Sequence, residues 1–416
     1  MSYAWTSLEA VSIAQNWISG VKITKRLGLI GMLAGAMALT FPHAQSQTTS
    51  AWQTDLESAE KLYLSGDEIQ AKKYYEQALA EVPDDTARAT VVNQMGVAQN
   101  KQHRYIDAQK SFSDALALRK KQLGDTDPVT LQTMSNLALA TYKTGDEVEA
   151  EKIYLECIER KRKVAPKSES LAKSLTNLAN LYADERNCNS ARKLYLESAD
   201  IDSELFGSSS PQVGVDFFNV GAMLQKCQQP EDALVYLDKA NAIFQTLGDK
   251  YSQIKALHYT GLSHGDLKNF DAASDASKRA LSLHEELAGK GHPDTVVHIL
   301  SAGDAAAAAT KYAEAEQLYL QALHTARNAD NPSNLLLTEC NLALAQLYKK
   351  QKRLDDAEQC FKKAMVHYED LTKREKRDLY ELPLAYSQLL KELNQSAESE
   401  HLNHKYLNVY APDKAR

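Results

Sequence analysis

The chain has 416 residues, 44% of them apolar and 25% charged, and carries a net charge of −7. That length excludes one simple core unless the fold is an extended array. The acidic balance excludes a protein built to grip nucleic acid, which needs a basic face, and the scarcity of proline favours helix throughout.

The first fifty residues differ from the rest. Lys22, Lys25 and Arg26 precede Leu27–Phe41, fifteen residues without a charge. A basic head, a short apolar run and a small-residue end read as a secretory signal peptide over residues 21–46. Cleavage is expected after Ser46, with Ala44 as second choice. The run is shorter than the roughly twenty residues of a membrane-spanning helix. No Cys follows it, which argues against a lipid anchor. Residues 1–20 make an odd leader ahead of such a segment, and VKITKRLGLIG from Val21 reads as the true translation start. Residues 47–54 are expected to be a linker, and the mature protein to be periplasmic or secreted.

From Asp55 onward one pattern recurs. Ala71, Ala108, Ala150, Ala191, Ala233, Ala273, Ala315 and Ala357 stand 37 to 42 residues apart. Four residues after each comes Tyr75, Phe112, Tyr154, Tyr195, Leu237, Ser277, Tyr319 or Phe361. Seven after comes Ala78, Ala115, Cys157, Ser198, Ala240, Ala280, Ala322 or Ala364. Twelve before, only alanine and glycine occur: Ala59, Gly96, Ala138, Ala179, Gly221, Gly261, Gly303 and Ala345. Two antiparallel helices approach closely only where side chains at the crossing are small. The linked small residues therefore predict helical hairpins, with the aromatic filling the wider space beside the crossing. Ser277 and the run Ala305–Ala309 depart from the pattern, so looser packing is expected there.

This pattern resembles the tetratricopeptide repeat over residues 55–368. The first copy, AEKLYLSGDEIQAKKYYEQALAEVP, matches the basic repeat best. Later copies are longer and carry loops such as LGDTDP, FGSSSP and GKGHPD. They look like the kinesin light chain class, with NLALATYKTGDEVEAEKIY and NLANLYADERNCNSARKLY as examples. The resemblance implies an all-α, right-handed superhelical solenoid of about eight hairpins, with first helices lining its inner face. Residues 369–410 read as a degenerate ninth copy and a terminal cap. There Ala385 and Ala397 are the expected small pair, and His401 and His404 stand in the aromatic and small places. Residues 411–416 are a tail.

Little else suggests chemistry. No phosphate-binding loop, nucleophile elbow or zinc-protease motif is present. His284-Glu285-Glu286 opens like the last but lacks the second histidine, and is read as surface. His401 and His404 are too few ligands for a zinc site, so neither metal nor cofactor is expected, and the chain is read as non-enzymatic. The run Arg160–Lys163 is read as complementing a helix C-terminus. Of five cysteines, Cys157 fits a buried thiol. Cys188 and Cys227 fall in neighbouring hairpin turns and form a candidate disulfide, while Cys340 and Cys360 are a weaker candidate pair.

The remaining feature is a row of asparagines. Asn136, Asn177 and Asn219 each precede the small residue of a first helix by two, and Asn180 extends the row. Carboxamides donate and accept, so such a ladder could hold an extended peptide by its backbone. The resemblance implies inner-face asparagines used in this way. Bonding between hairpins is the structural alternative. Gln132, Lys173 and Lys226 flank the row and would favour an acidic peptide. The expected function is a protein-interaction adaptor, with a tethered structural subunit of an envelope assembly as the alternative.

Overall fold

The computed structural model describes residues 50–407, and the regular structure in them is entirely helical. The expected leader, signal peptide and cleavage site lie outside the described residues. The chain divides after Pro166 into two compact units, each an all-α solenoid of antiparallel helical hairpins.

The first unit holds three hairpins: α1 (Ala51–Leu64) with α2 (Glu68–Glu81), α3 (Asp85–Lys101) with α4 (Tyr105–Leu123), and α5 (Pro128–Lys143) with α6 (Glu147–Val164). Helix α1 begins inside the expected linker, and Trp52 already packs on the first core. The second unit holds α7 (Glu169–Asp184) with α8 (Cys188–Phe206), α9 (Pro211–Lys226) with α10 (Pro230–Leu247), and α11 (Lys250–Asp266) with α12 (Phe270–Ala288). It continues with α13 (Val296–Ala308) and α14 (Tyr312–Arg327), then α15 (Asn334–Lys350) and α16 (Leu354–Glu369). A short α17 (Lys373–Asp378) leads to the last hairpin, α18 (Glu381–Glu392) with α19 (Ser396–Leu402).

Starts are set by capping. Asp67, Asp84, Asp127, Asp146, Ser168, Ser210 and Asp249 each accept from an amide in the first turn that follows, and Pro128 and Pro211 occupy first-turn positions where no donor is lost. The loops LGDTDP and FGSSSP thus end as helix caps.

The small residues do what their spacing predicts, and the eight alanines of the second helices are all buried. The aromatic, however, does not sit beside the crossing. It lies across the small residue of the first helix. A Cβ added at Gly96 would meet the Phe112 ring at 2.8 Å, one at Gly221 would meet Leu237 at 2.6 Å, and one at Gly303 would meet Tyr319 at 2.5 Å. Gly261 is the exception, because its partner is Ser277, 3.2 Å from the added atom. Glycine is required where a large side chain presses closest. The expected loosening at Ala305–Ala309 does not appear: Ala305, Ala306 and Ala307 are buried in α13.

Each hairpin turns through one residue at positive φ, seven positions after the small residue: Gly66, His103 and Gly145 in the first unit, then Arg186, Gln228, Lys268, Thr310, Lys352 and Asn394 in the second. The amide after it donates to the carbonyl five residues back at 2.8–3.3 Å, closing the first helix. A side chain at positive φ costs about 1–2 kcal/mol. The packing that follows each turn must outweigh that strain, most of all at β-branched Thr310.

This turn corrects the register of the last hairpin. Counting back seven from Asn394 reaches Ser387, not Ala385. Ser387 and Ser399 are buried, their hydroxyls 2.8 Å apart, while Ala397 is exposed. The small pair is two serines. Tyr406, beyond α19, packs edge-on against Tyr368 at 5.6 Å and closes the end of the array.

Two other expectations change. His284 is 6% exposed rather than on the surface. In the basic run, Arg160 pairs with Asp125 and Glu156, but Lys161 is buried and donates to Ser135 Oγ at 2.8 Å. Ion pairs about one repeat apart, such as Arg104–Glu68, Arg192–Asp232 and Lys250–Glu286, run along each unit. They are solvent-exposed and contribute at most about 1 kcal/mol each.

The ring-on-glycine contact makes a paired prediction. Gly303→Ala should lower stability to urea by about 1–3 kcal/mol through overpacking. Gly261→Ala should be neutral or stabilising, since alanine is favoured in a helix by roughly 1 kcal/mol. Urea unfolding followed by far-UV circular dichroism measures both, and equal costs at the two sites would contradict this packing.

Candidate functional site

Within each unit the first helices of successive hairpins touch, as α1 does α3, α9 does α11 and α13 does α15. Successive second helices make at most glancing contact. A stack with that asymmetry bends toward its first helices, which therefore line the inner side of each unit.

Asn177 on α7 and Asn219 on α9 occupy the same register of adjacent first helices in the second unit. Both are half-buried, and neither carboxamide has a hydrogen-bond partner among the described residues. The expected alternative, bonding between hairpins, is absent at these two positions. The other members of the row differ. Asn180 is exposed, and its Oδ1 accepts from the Tyr195 hydroxyl at 2.5 Å, so it serves its own hairpin. Asp304 holds the equivalent place toward Tyr319, again at 2.5 Å. Asn136 lies in the first unit, where its Oδ1 accepts from exposed Gln132 at 3.2 Å.

The charges expected around the row are also unequal. Lys173 is tied to Glu169 at 2.5 Å on its own helix. Lys226, two turns beyond Asn219, has no ion-pair partner among the described residues and is the cation that remains available on this face. Sequence reasoning missed the aromatics beside Asn219. Tyr259 holds the asparagine register in the next first helix, and its ring meets Phe218 edge-on at 5.6 Å. Both rings are half-buried. The signal is present in the sequence, since Tyr259 lies forty residues after Asn219, but a tyrosine interrupts the run of asparagines by which the row is recognised.

A buried polar node fixes the two asparagine-bearing helices. Asp216 on α9 is 3% exposed, and its Oδ1 accepts from Thr176 of α7 at 3.4 Å and from Ser198 of α8 at 3.3 Å. Thr176 and Ser198 hydroxyls are 3.0 Å apart. Thr176 immediately precedes Asn177, and Asp216 lies one turn before Asn219, so the node sets the spacing of the two carboxamides. Desolvation, reinforced by the neighbouring carboxylate of Asp202, pushes the Asp216 carboxyl up to about 7. Asp202 is itself raised, first by burial and then by Glu169, against the opposing pull of Lys173.

Cys188 and Cys227, in the adjoining hairpin turns, are joined by a disulfide with Cα atoms 6.3 Å apart. Cys157, Cys340 and Cys360 are free and buried. His401 and His404 are both exposed.

Tetratricopeptide-repeat models match residues 85–163, residues 171–212 and 254–294, and residues 338–365. It is a tetratricopeptide-repeat protein. Such arrays serve in protein–protein interaction. No curated protein matches the chain in sequence. Among solved structures, apo RapI superposes with a TM-score of 0.60 at 12% identity, covering 86% of this chain and 98% of that one. A signal-transduction ATPase of the STAND class from Pyrococcus horikoshii, with a tetratricopeptide-repeat sensor, gives 0.55 at 15% identity, covering 85% and 50%. BtubC from P. vanneervenii gives 0.47 at 23% identity over 54% and 92%. For the first two, at such identities, the likeness is one of fold.

The node carries a pH dependence. The unfolded Asp216 carboxyl loses its proton near 3.8, whereas the folded one holds it to about 7. The folded repeat protein binds more protons in that window, so stability falls as pH rises through it and levels off above. Melting temperature measured across that range should decline for the wild type, and Asp216→Asn should flatten the decline and raise stability on the alkaline side. An unchanged slope in the variant would contradict the assignment.

Proposed function

We propose that this tetratricopeptide-repeat protein is a non-catalytic adaptor that holds an extended segment of a partner protein along the first helices of its second unit. The observation that carries the reading is the pair of unpartnered, half-buried carboxamides of Asn177 and Asn219 at matching register. Each can give and take a hydrogen bond, which suits the alternating donors and acceptors of a peptide backbone. The Phe218–Tyr259 edge offers an apolar seat for a side chain beside them, and Lys226 favours an acidic one. Affinity would be the sum of several modest contacts, with selectivity from the seat and the lysine. The long repeats and their loops agree with a kinesin-light-chain-like class.

The reading includes export. A basic-then-apolar leader over residues 21–46 supports it, as does the Cys188–Cys227 disulfide, because such bonds persist in oxidising compartments. Among the described residues no helix is long and apolar enough to cross a membrane. A second reading, a structural subunit of an assembly, has one observation in its favour. Ile69, Ile106 and Val148 repeat at one position of the first unit's second helices and are 84%, 76% and 80% exposed. That apolar row could seat a neighbouring subunit.

Partner capture with the wild type and with the Asn177→Ala/Asn219→Ala double variant tests the adaptor reading. The expected result is a captured protein lost with the double variant while the melting temperature stays unchanged; a sharp fall in melting temperature would make the asparagines structural. Export predicts that the protein recovered from cells begins at Gln47 or Gln45 and that Cys188 and Cys227 resist alkylation until reduced. Recovery of peptides spanning residues 27–41 from the mature protein would contradict it.

A further inference from the structure

Four histidines and one aspartate converge in the second unit. His284 comes from α12, His292 and Asp294 from the turn that follows, His298 from α13 and His258 from α11. One ligand atom each from His284, His292 and Asp294 lies within 4.8 Å of the others. The His284 and His292 rings are stacked with centroids 6.3 Å apart, and His298 is 5.3 Å from His284 and 6.0 Å from His258. We propose that His284, His292 and Asp294 form a binding site for a divalent transition cation of the zinc class.

The chemistry of the donors selects the cation. Two imidazoles and one carboxylate suit a tetrahedral zinc ion with a fourth position left for water or another imidazole. No thiolate stands in the cluster, which disfavours soft cations, and calcium or magnesium would require oxygen ligands throughout. Geometry already joins two of the three ligands. His292 Nδ1 is 3.4 Å from Asp294 Oδ2, and the Asp294 amide donates to the same nitrogen at 3.3 Å. The turn is held in place by Thr295, whose hydroxyl donates to the His292 carbonyl at 2.6 Å.

His298 supplies an independent indication. It is 8% exposed, and its Nδ1 is buried with no hydrogen-bond partner. Leaving a buried polar nitrogen unsatisfied costs about 1–3 kcal/mol. A cation, or the water bound to it, beside His284 would give that nitrogen a partner. Around a metal, His298 is placed to take the fourth position or to bond the water held there, with His258 packed behind it.

The test uses the full chain without an affinity tag, stripped with chelator and titrated with zinc by calorimetry, with cobalt absorption as a report on coordination. The expected result is one zinc per chain, a rise in melting temperature on binding, and a cobalt spectrum typical of tetrahedral nitrogen–oxygen ligation. His292→Ala and Asp294→Asn should each weaken zinc binding by at least about tenfold. Asp294→Asn changes a partly exposed side chain, so its metal-free melting temperature should not move; His292→Ala also removes the acceptor of the Asp294 amide, so its zinc response is read against its own metal-free melting temperature. His401→Ala/His404→Ala should change nothing. Absence of saturable binding, binding untouched by His292→Ala and Asp294→Asn, or binding lost in the His401/His404 variant would overturn the proposal.

Discussion

The structure depends on how closely two helices of a hairpin can approach. At Gly96, Gly221 and Gly303 a side chain of the second helix lies directly across the glycine of the first, and the alanines at the same position of other hairpins are fully buried. Where the approach is closest, not even a methyl group fits. This contact fixes the rotation of each second helix about its axis, and that rotation decides which residues face the next hairpin. Since hairpins contact mainly their neighbours, the same local rule repeated is enough to build each unit.

Other interactions refine what the contact establishes. The residue at positive φ ends each first helix at a constant distance from the small residue, so the turn and the crossing stay in phase. Tyrosine hydroxyls that find a partner on the first helix, as Tyr195 and Tyr319 do, pin the ring in place. The Tyr75 and Tyr154 hydroxyls have none. Near the asparagines the core turns polar. Asp216, Thr176 and Ser198 bind three helices together where apolar packing alone would allow them to slide. The cost is a buried acid held on the edge of ionisation, and the return is a defined distance between two carboxamides.

Much of this was legible in the sequence, because close approach tolerates only small residues and so leaves an arithmetic trace. Eight hairpins could be counted from Ala and Gly alone. The ninth was placed two residues out of register because serine there replaces alanine, and serine is common elsewhere in the chain. The turn that would have corrected it has no compositional signal: glycine, histidine, arginine, glutamine, lysine, threonine and asparagine all occupy it. The candidate site was half visible. Asn177 and Asn219 stood out by spacing, but only coordinates show that Asn180 is engaged with Tyr195 and Lys173 with Glu169. The histidine cluster was passed over although His284, His292 and Asp294 lie within eleven residues of one another, because no fixed ligand spacing of a known motif joins them and the fold of the turn is what brings them together.

The central claim is that the ring of the second helix, resting on the small residue of the first, sets the hairpin. A double-mutant cycle between positions 303 and 319 tests it most directly. If the claim holds, adding a methyl at Gly303 is costly opposite Tyr319 and harmless once Tyr319→Ser has removed the ring, giving a coupling on the order of 1–2 kcal/mol. Strictly additive costs at the two positions would contradict it.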